Sequence, residues 1–464
     1  MLYVKYRYQD TVKVKFLKNL DVVSCTALSL YNIIKQYFND NNVRLERMIM
    51  WTSDGAEVML GKYNGVQARL KVDSPFLLEQ HCVTHREALA TKQAFAKVSY
   101  MSKVEGIVKA IYNHFSRSST RQENLKDIFC VLDQKEIRMK RVHDIRWLSL
   151  GEAVTAIVRS YDVLVAYFSG ESKSGKDPTA MGILSAITTY RDLLGKLNSL
   201  NKALQERNIR PSDAGRSVKR TIDSLRERYL TAADDAITWG PSMQKLLSRL
   251  PDMTELHGNK EESQKLFTSD VKHLVSELNI NLQHRFPDTA FVNNFDIFVP
   301  ALFPEERSVL YGVDQIEELY RRYRTLLPAE DLETISDEWD DLKYCLKESY
   351  LNCSQEEFCL DLTVDPVKRQ QYPNMAILAE MCLVMAASSA EVERGFSQTN
   401  LIKTKQRNRL SAQHLDMLLR VKLCYTGLQS LDATKVYNNW LQAKRRRLIF
   451  DNPHSSDSES DMDC

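Results

Sequence analysis

The hydrophobic period of this chain changes along its length, and that change bounds what it can fold into. Leu2–Tyr8 sets Val4, Tyr6 and Tyr8 against Lys5 and Arg7, the two-residue period of a strand. Gln9-Asp10 supplies a turn and Val12–Leu17 alternates again, so the chain opens on a hairpin. A helical stretch, Cys25–Phe38, follows and ends at Asn39-Asp-Asn-Asn42. Two short apolar runs, Met48–Thr52 and Phe76–Cys82, read as further strands. The first ends at Ser53-Asp54-Gly55 and the second runs into a helix from His85. From about 148 to 361 the strand signals fade. Apolar residues recur at helical spacing over Ala153–Phe168, Ile183–Gln205 and Ser217–Ala232, and Pro211, Pro241, Pro251 and Pro287 punctuate the helices. The expected class is α/β plus α: a strand-bearing start, a long all-helical middle and a helical close.

Composition supports this order. Only 15 Gly and 12 Pro occur in 464 residues, about half the usual share, which favours long helices over tight turns. Lys and Arg number 63 against 61 Asp and Glu, so the net charge is +2 and a globally basic nucleic-acid coat is excluded. Nine cysteines without framework spacing point to a reducing compartment. No apolar run approaches the ~18 residues of a membrane helix, because Glu380 interrupts 376–390. Charges near Met1 leave no apolar signal-peptide region, so export is not expected.

The last third opens at Tyr372-Pro373 with an apolar helix, Met375–Ala386. Ser388-Ser-Ala-Glu391 has the spacing of a capping box for a second helix, on which Phe396 is expected to anchor the core. Ser411–Val421 is amphipathic, with Leu415, Leu418 and Leu419 on one stripe. Lys444–Arg447 then precedes an acidic, Ser-rich stretch, Ser455–Asp461. That pairing reads as a nuclear localisation candidate followed by a disordered tail with acidic-directed phosphorylation sites.

Four segments together resemble the hAT superfamily of transposases. They are Thr52-Ser-Asp-Gly-Ala-Glu-Val-Met-Leu-Gly61, His81-Cys-Val-Thr-His-Arg86, Ile145-Arg-Trp-Leu-Ser149 and Ser389-Ala-Glu-Val-Glu-Arg-Gly-Phe-Ser397. The last continues into Lys403-Thr-Lys-Gln-Arg-Asn-Arg-Leu410, which resembles the family's C-terminal dimerisation region. The likeness is nearest to vertebrate-type, zinc-finger-associated and domesticated members. It implies an RNase H-like core interrupted by a large all-α insertion. The implied boundaries are 1–147 and 371–430 for the core and dimerisation region, 148–370 for the insertion, and 431–464 for a helix, basic cluster and acidic tail.

The resemblance also implies site residues. Family enzymes hold two Mg²⁺ ions on an Asp-Asp-Glu triad for in-line displacement at phosphorus. Asp54 matches the second Asp and Glu393 the Glu, while Glu391 fits an ordinary helix-start acid. Cys82 and His85 match a Cys-x-x-His signature, with His85 expected near the scissile phosphate. Trp147 matches a tryptophan that stacks on an unpaired base. The first Asp has no counterpart, since Asp10 lies in a turn and Asp21 in a loop, and the first strand of the core is expected to be missing. That leaves the sheet with a gap unless another segment fills it.

Basic residues flank these motifs. Lys126, Lys135, Arg138, Lys140, Arg141 and Arg146 form one group, and Lys403, Lys405, Arg407 and Arg409 another. Both suit phosphate contacts, although charge runs are also common on solvated helix faces. The expected function is a transposase-derived, dimerising, nuclear, DNA-associated protein. It would lack transposition activity and need no cofactor, and its dimer seam would lie at Leu415, Leu418 and Leu419. The alternatives are an active Mg-dependent transposase with a front truncation, and a protein-interaction scaffold without nucleic-acid binding.

Overall fold

The computed structural model describes residues 1–142, 147–171, 180–231, 237–249, 260–286, 290–305, 308–424 and 432–442. Two of the expected features, Arg146 and the Lys444–Arg447 cluster with its acidic tail, lie outside the described residues. Residues 1–397 form one compact unit and residues 398–464 a second.

The hairpin forms as its alternation requires. Strands β1 (Leu2–Tyr8) and β2 (Thr11–Lys18) pair antiparallel, with Tyr8 opposite Thr11 and Gln9 in the left-handed region at φ 55°. Strands β3 (Met50–Ser53) and β4 (Leu78–His81) pair parallel, with Met50 opposite Leu78 and Ser53 opposite His81. The crossover between them contains helix Val66–Asp73. The strands therefore make two separate two-stranded sheets. The helix after the hairpin, Ala27–Asp40, is capped by Thr26, whose Oγ1 accepts from Ser29 N at 3.3 Å. Its Ile34 and Phe38 pack with Leu2, Val66, Leu70 and Leu77 into a small core that holds hairpin and crossover together.

Beyond residue 82 the described chain is helical. One core draws on helices between Val83 and Arg285, where Tyr190, Leu193, Leu194 and Leu197 of the long helix Ala180–Leu204 are almost fully buried. The stretch expected as a single helix, Ala153–Phe168, is two helices, Trp147–Arg159 and Tyr161–Glu171. They meet at Ser160, whose N–H reaches Ala156 O and Ile157 O. Pro211 and Pro241 begin helices at the first position, where a missing N–H costs nothing. A second core joins residues 292–362 to helix Pro373–Val384, with Trp339 and Phe298 at its centre.

Two expectations near residue 390 are corrected. Ser388 and Glu391 form no capping box. Ser388 Oγ accepts from Ala390 N at 3.2 Å, and Glu391 turns to Arg394 at 2.6 Å. The true capping box is Ser354 with Glu357 on helix Gln355–Val364. Phe396 is no core anchor, being 50% exposed, because Gly395 rather than Phe396 faces inward on helix Ala390–Ile402.

Gly312 precedes helix Val313–Tyr323 at φ 83°, and a Cβ there would lie 2.4 Å from Trp339 Nε1. That indole donates to Tyr311 O at 2.8 Å, so it has no free direction in which to move. Gly312→Ala should cost about 2 kcal/mol or more, from backbone strain plus overpacking, read as a lowered denaturant midpoint at unchanged slope.

Candidate functional site

Three segments far apart in sequence meet where the two short parallel strands end. β3 runs into Asp54, which is exposed and accepts from Ala56 N at 3.3 Å in an Asx turn. β4 runs into Cys82 and then helix Val83–Ala96, with His85 in its first turn. The third segment, residues 385–389, is non-helical and leads into helix Ala390–Ile402, which carries Glu393.

The third segment is stitched to the other two. Thr52 Oγ1 donates to Ala386 O, Val83 N to Ala387 O at 3.1 Å, and Ser389 N to Cys82 Sγ at 3.2 Å. Asp54, His85 and Glu393 consequently line one open cleft of about 1590 Å³, larger than the ~300–1,000 Å³ of small-ligand pockets. Cys82 is fully buried and contacts Thr84 Oγ1 at 3.0 Å. Its sulfur positions the start of the Glu393 helix.

His81 is a residue the sequence did not single out. Its ring lies 5.5 Å from that of His85, and its Nε2 is buried without a hydrogen-bond partner among the described residues. A Cβ on Gly55 would lie 2.5 Å from His81 Cε1, so the glycine after Asp54 is there to admit this imidazole. Burial, followed by the positive charge of Arg86, pushes the His81 pKa down to about 4 against a smaller pull from Asp54. The ring is therefore neutral at physiological pH.

Glu87, also on the cleft, is 1% exposed. Its Oε2 accepts from Asn201 Nδ2 at 2.6 Å and its Oε1 from Thr91 Oγ1 at 3.0 Å. Burial raises its pKa to about 7, outweighing both hydrogen bonds. This contact ties helix Val83–Ala96 to Ala180–Leu204. Helix spacing alone could not reveal it, because the partner is 114 residues away.

Among the carboxylates on the cleft, Glu391 is engaged by Arg394 at 2.6 Å and by Arg207 at 3.5 Å. Glu393 is exposed on the same helix. Among the described residues no group of three or more His, Cys, Asp or Glu converges to hold a metal ion. Asp54 and Glu393 share the cleft as exposed carboxylates, the donor type that suits Mg²⁺.

The remaining sequence candidates fall as follows. Trp147 begins its helix, Trp147–Arg159, but its side chain lies outside the described residues. Lys126, Lys135, Arg138, Lys140 and Arg141 are exposed, and Lys140 pairs with Glu152 at 2.9 Å. Ile137, Met139 and Val142 pack inward, so residues 134–142 form a strap with basic side chains outward. Lys403, Lys405, Arg407 and Arg409 are all exposed around the short turn Lys405–Arg407. On helix Ala412–Cys424, Leu415 and Leu419 are buried within the chain and Leu418 is half-buried. Met417 and Val421, one turn apart, are 51% and 65% exposed.

Comparison with known families matches residues 350–423 to the model described as the hAT family C-terminal dimerisation region. The matched span runs from the end of helix Leu332–Ser349 through helix Ala412–Cys424.

The ordinary carboxyl value of 4.5 and the folded value of about 7 set a pH window for Glu87. The unfolded chain ionises first, so the contribution to stability is intact below about 4.5 and is lost as pH rises towards 7. Glu87→Gln keeps an acceptor for Asn201 and removes the charge. It should unfold at higher urea than the parent at pH 8, by about 3 kcal/mol, with the difference vanishing near pH 4.

Proposed function

Because the chain is a hAT transposase-like, dimerising protein by its 350–423 region, we propose that it acts as a dimer on nuclear DNA without strand-transfer chemistry of its own. The observation that carries DNA contact is the run from Lys403 to Arg409. Its four cations are exposed and none has an ion pair among the described residues. Side chains already paired to carboxylates neutralise phosphates poorly, whereas unpaired ones release counterions in full. The outward-facing strap, with Lys135, Arg138 and Arg141, supports the same reading. The same reading takes the core as RNase H-like, as the resemblance implies. Nuclear location rests on the Lys444–Arg447 cluster in the sequence.

The dimer face follows from exposure. Leu415 and Leu419 are occupied within their own chain, which leaves Met417 and Val421 as the outward apolar pair of that helix. We assign them to the seam.

Two measurements test this reading. Binding of a 30-base-pair duplex should weaken linearly in log–log form as salt rises. Replacing Lys403, Lys405, Arg407 and Arg409 by Ala should reduce the slope by about three to four. A salt-independent affinity, or an unchanged slope, refutes the DNA reading. In sedimentation, Met417→Asp with Val421→Asp should halve the mass while the circular dichroism spectrum stays unchanged. A retained dimer removes this face from the seam.

A further inference from the structure

The exposed cation run encloses a hydroxyl that DNA contact does not use. Residues 395–415 contain Lys403, Lys405, Arg407 and Arg409 and no Asp or Glu. A negative charge placed among them meets four cations and no competing anion. Four hydroxyl side chains lie in the stretch. Ser397 and Thr399 are half-buried on helix Ala390–Ile402, and Ser397 Oγ donates to Glu393 O at 3.2 Å. Ser411 Oγ accepts from His414 N at 3.2 Å and lies 2.8 Å from His414 Nδ1, so it is committed to its own turn.

Thr404 differs from all three. It is exposed, its side chain makes no cap hydrogen bond, and its backbone is extended at φ −89° and ψ 172°. That combination suits phosphoryl transfer, in which a kinase carboxylate must reach the hydroxyl proton of its substrate. Flanking charge supplies recognition. Lys403 and Lys405 adjoin Thr404, and Arg407 and Arg409 follow, a pattern that acidic groups on a kinase discriminate. Arg407 N donates to Thr404 O at 3.0 Å, which brings Arg407 within one turn of the threonine.

We propose that Thr404 is a phosphorylation site for a protein kinase that reads basic residues, and that its phosphate releases the chain from DNA. The release rests on the DNA contact proposed above for the same four cations. In the transfer, Thr404 Oγ1 bonds to the γ-phosphorus of ATP, the bond from that phosphorus to ADP breaks, and the hydroxyl proton passes to the kinase carboxylate. The product carries close to two negative charges and three acceptor oxygens. Arg407 can grip it through two parallel N–H bonds, and the adjoining lysines act as point charges. Cations engaged in this way no longer displace counterions from DNA, and the net charge of the stretch falls from +4 to about +2.

The test treats the full chain with ATP and an Arg/Lys-directed kinase. Peptide mapping by mass spectrometry should find phosphate on Thr404, lost in Thr404→Ala and recovered in Thr404→Ser. The phosphorylated chain should bind the same duplex about tenfold or more weakly at ~0.1 M salt, with the salt slope lower by about two. A phosphatase should restore both values. No phosphate on Thr404, or phosphate on Ser411 in its place, overturns the proposal. Full occupancy of Thr404 with unchanged affinity overturns it as well, as does weakening by the kinase that persists in Thr404→Ala. Failure of the DNA reading is separate: the untreated chain then shows no salt-dependent binding, and the release falls with it.

Discussion

Four hydrogen bonds along residues 385–389 decide where the candidate site lies. Lys5, Thr52 and Val83 donate to the carbonyls of Met385, Ala386 and Ala387, and Ser389 N–H turns to the Cys82 sulfur. Each joins this stretch to a strand or strand end more than 300 residues earlier in the chain. Two alanines and two serines at 386–389 make the approach feasible, and Ala387 is completely buried. Larger side chains there would hold the strand ends away and separate Glu393 from Asp54. The geometry of the cleft follows from this seam, because helix Ala390–Ile402 starts directly beyond it.

A second polar layer ties the long helices to the same place. Glu87 accepts from Asn201, and Gln205 Nε2 donates in turn to Asn201 Oδ1 at 2.5 Å. Arg394 reaches Gln205 O at 3.2 Å, while Arg207 reaches Val14 O at 3.3 Å and pairs with Glu391. The end of helix Ala180–Leu204 is thereby pinned over the hairpin and the Glu393 helix. Burying Glu87 costs stability at neutral pH, and its two hydrogen bonds offset only part of that cost. The network contributes alignment more than binding energy, and alignment is what a site assembled from distant segments requires.

Charge distribution completes the picture. A net charge of +2 suggests an indifferent surface, yet the cations are sorted by partner. Arg210, Arg216 and Lys368 are spent on internal carboxylates, whereas Lys403, Lys405, Arg407 and Arg409 stand exposed. Exposed unpaired cations, not the total, determine affinity for a polyanion. The same sorting separates Glu391, held by two arginines, from Glu393, which faces the cleft.

The sequence by itself determined the hairpin, the two short strands and the helical middle, because all of these follow from contacts between near neighbours. It also carried the hAT likeness that residues 350–423 bear out. It misplaced the capping box and Phe396, since helix register near a terminus depends on what the first turn packs against. It gave no sign of His81 or Glu87 as site residues, because a lone His or Glu acquires meaning only from burial and from partners such as Gly55 and Asn201. Only the tertiary structure decided that β1 and β3, strands of separate sheets, line one cleft, and that Leu415 and Leu419 turn inward while Met417 and Val421 turn out. The physical reason is the same throughout. Periodicity reports which side of an element is apolar, but burial and pairing are properties of what the rest of the chain brings against that side.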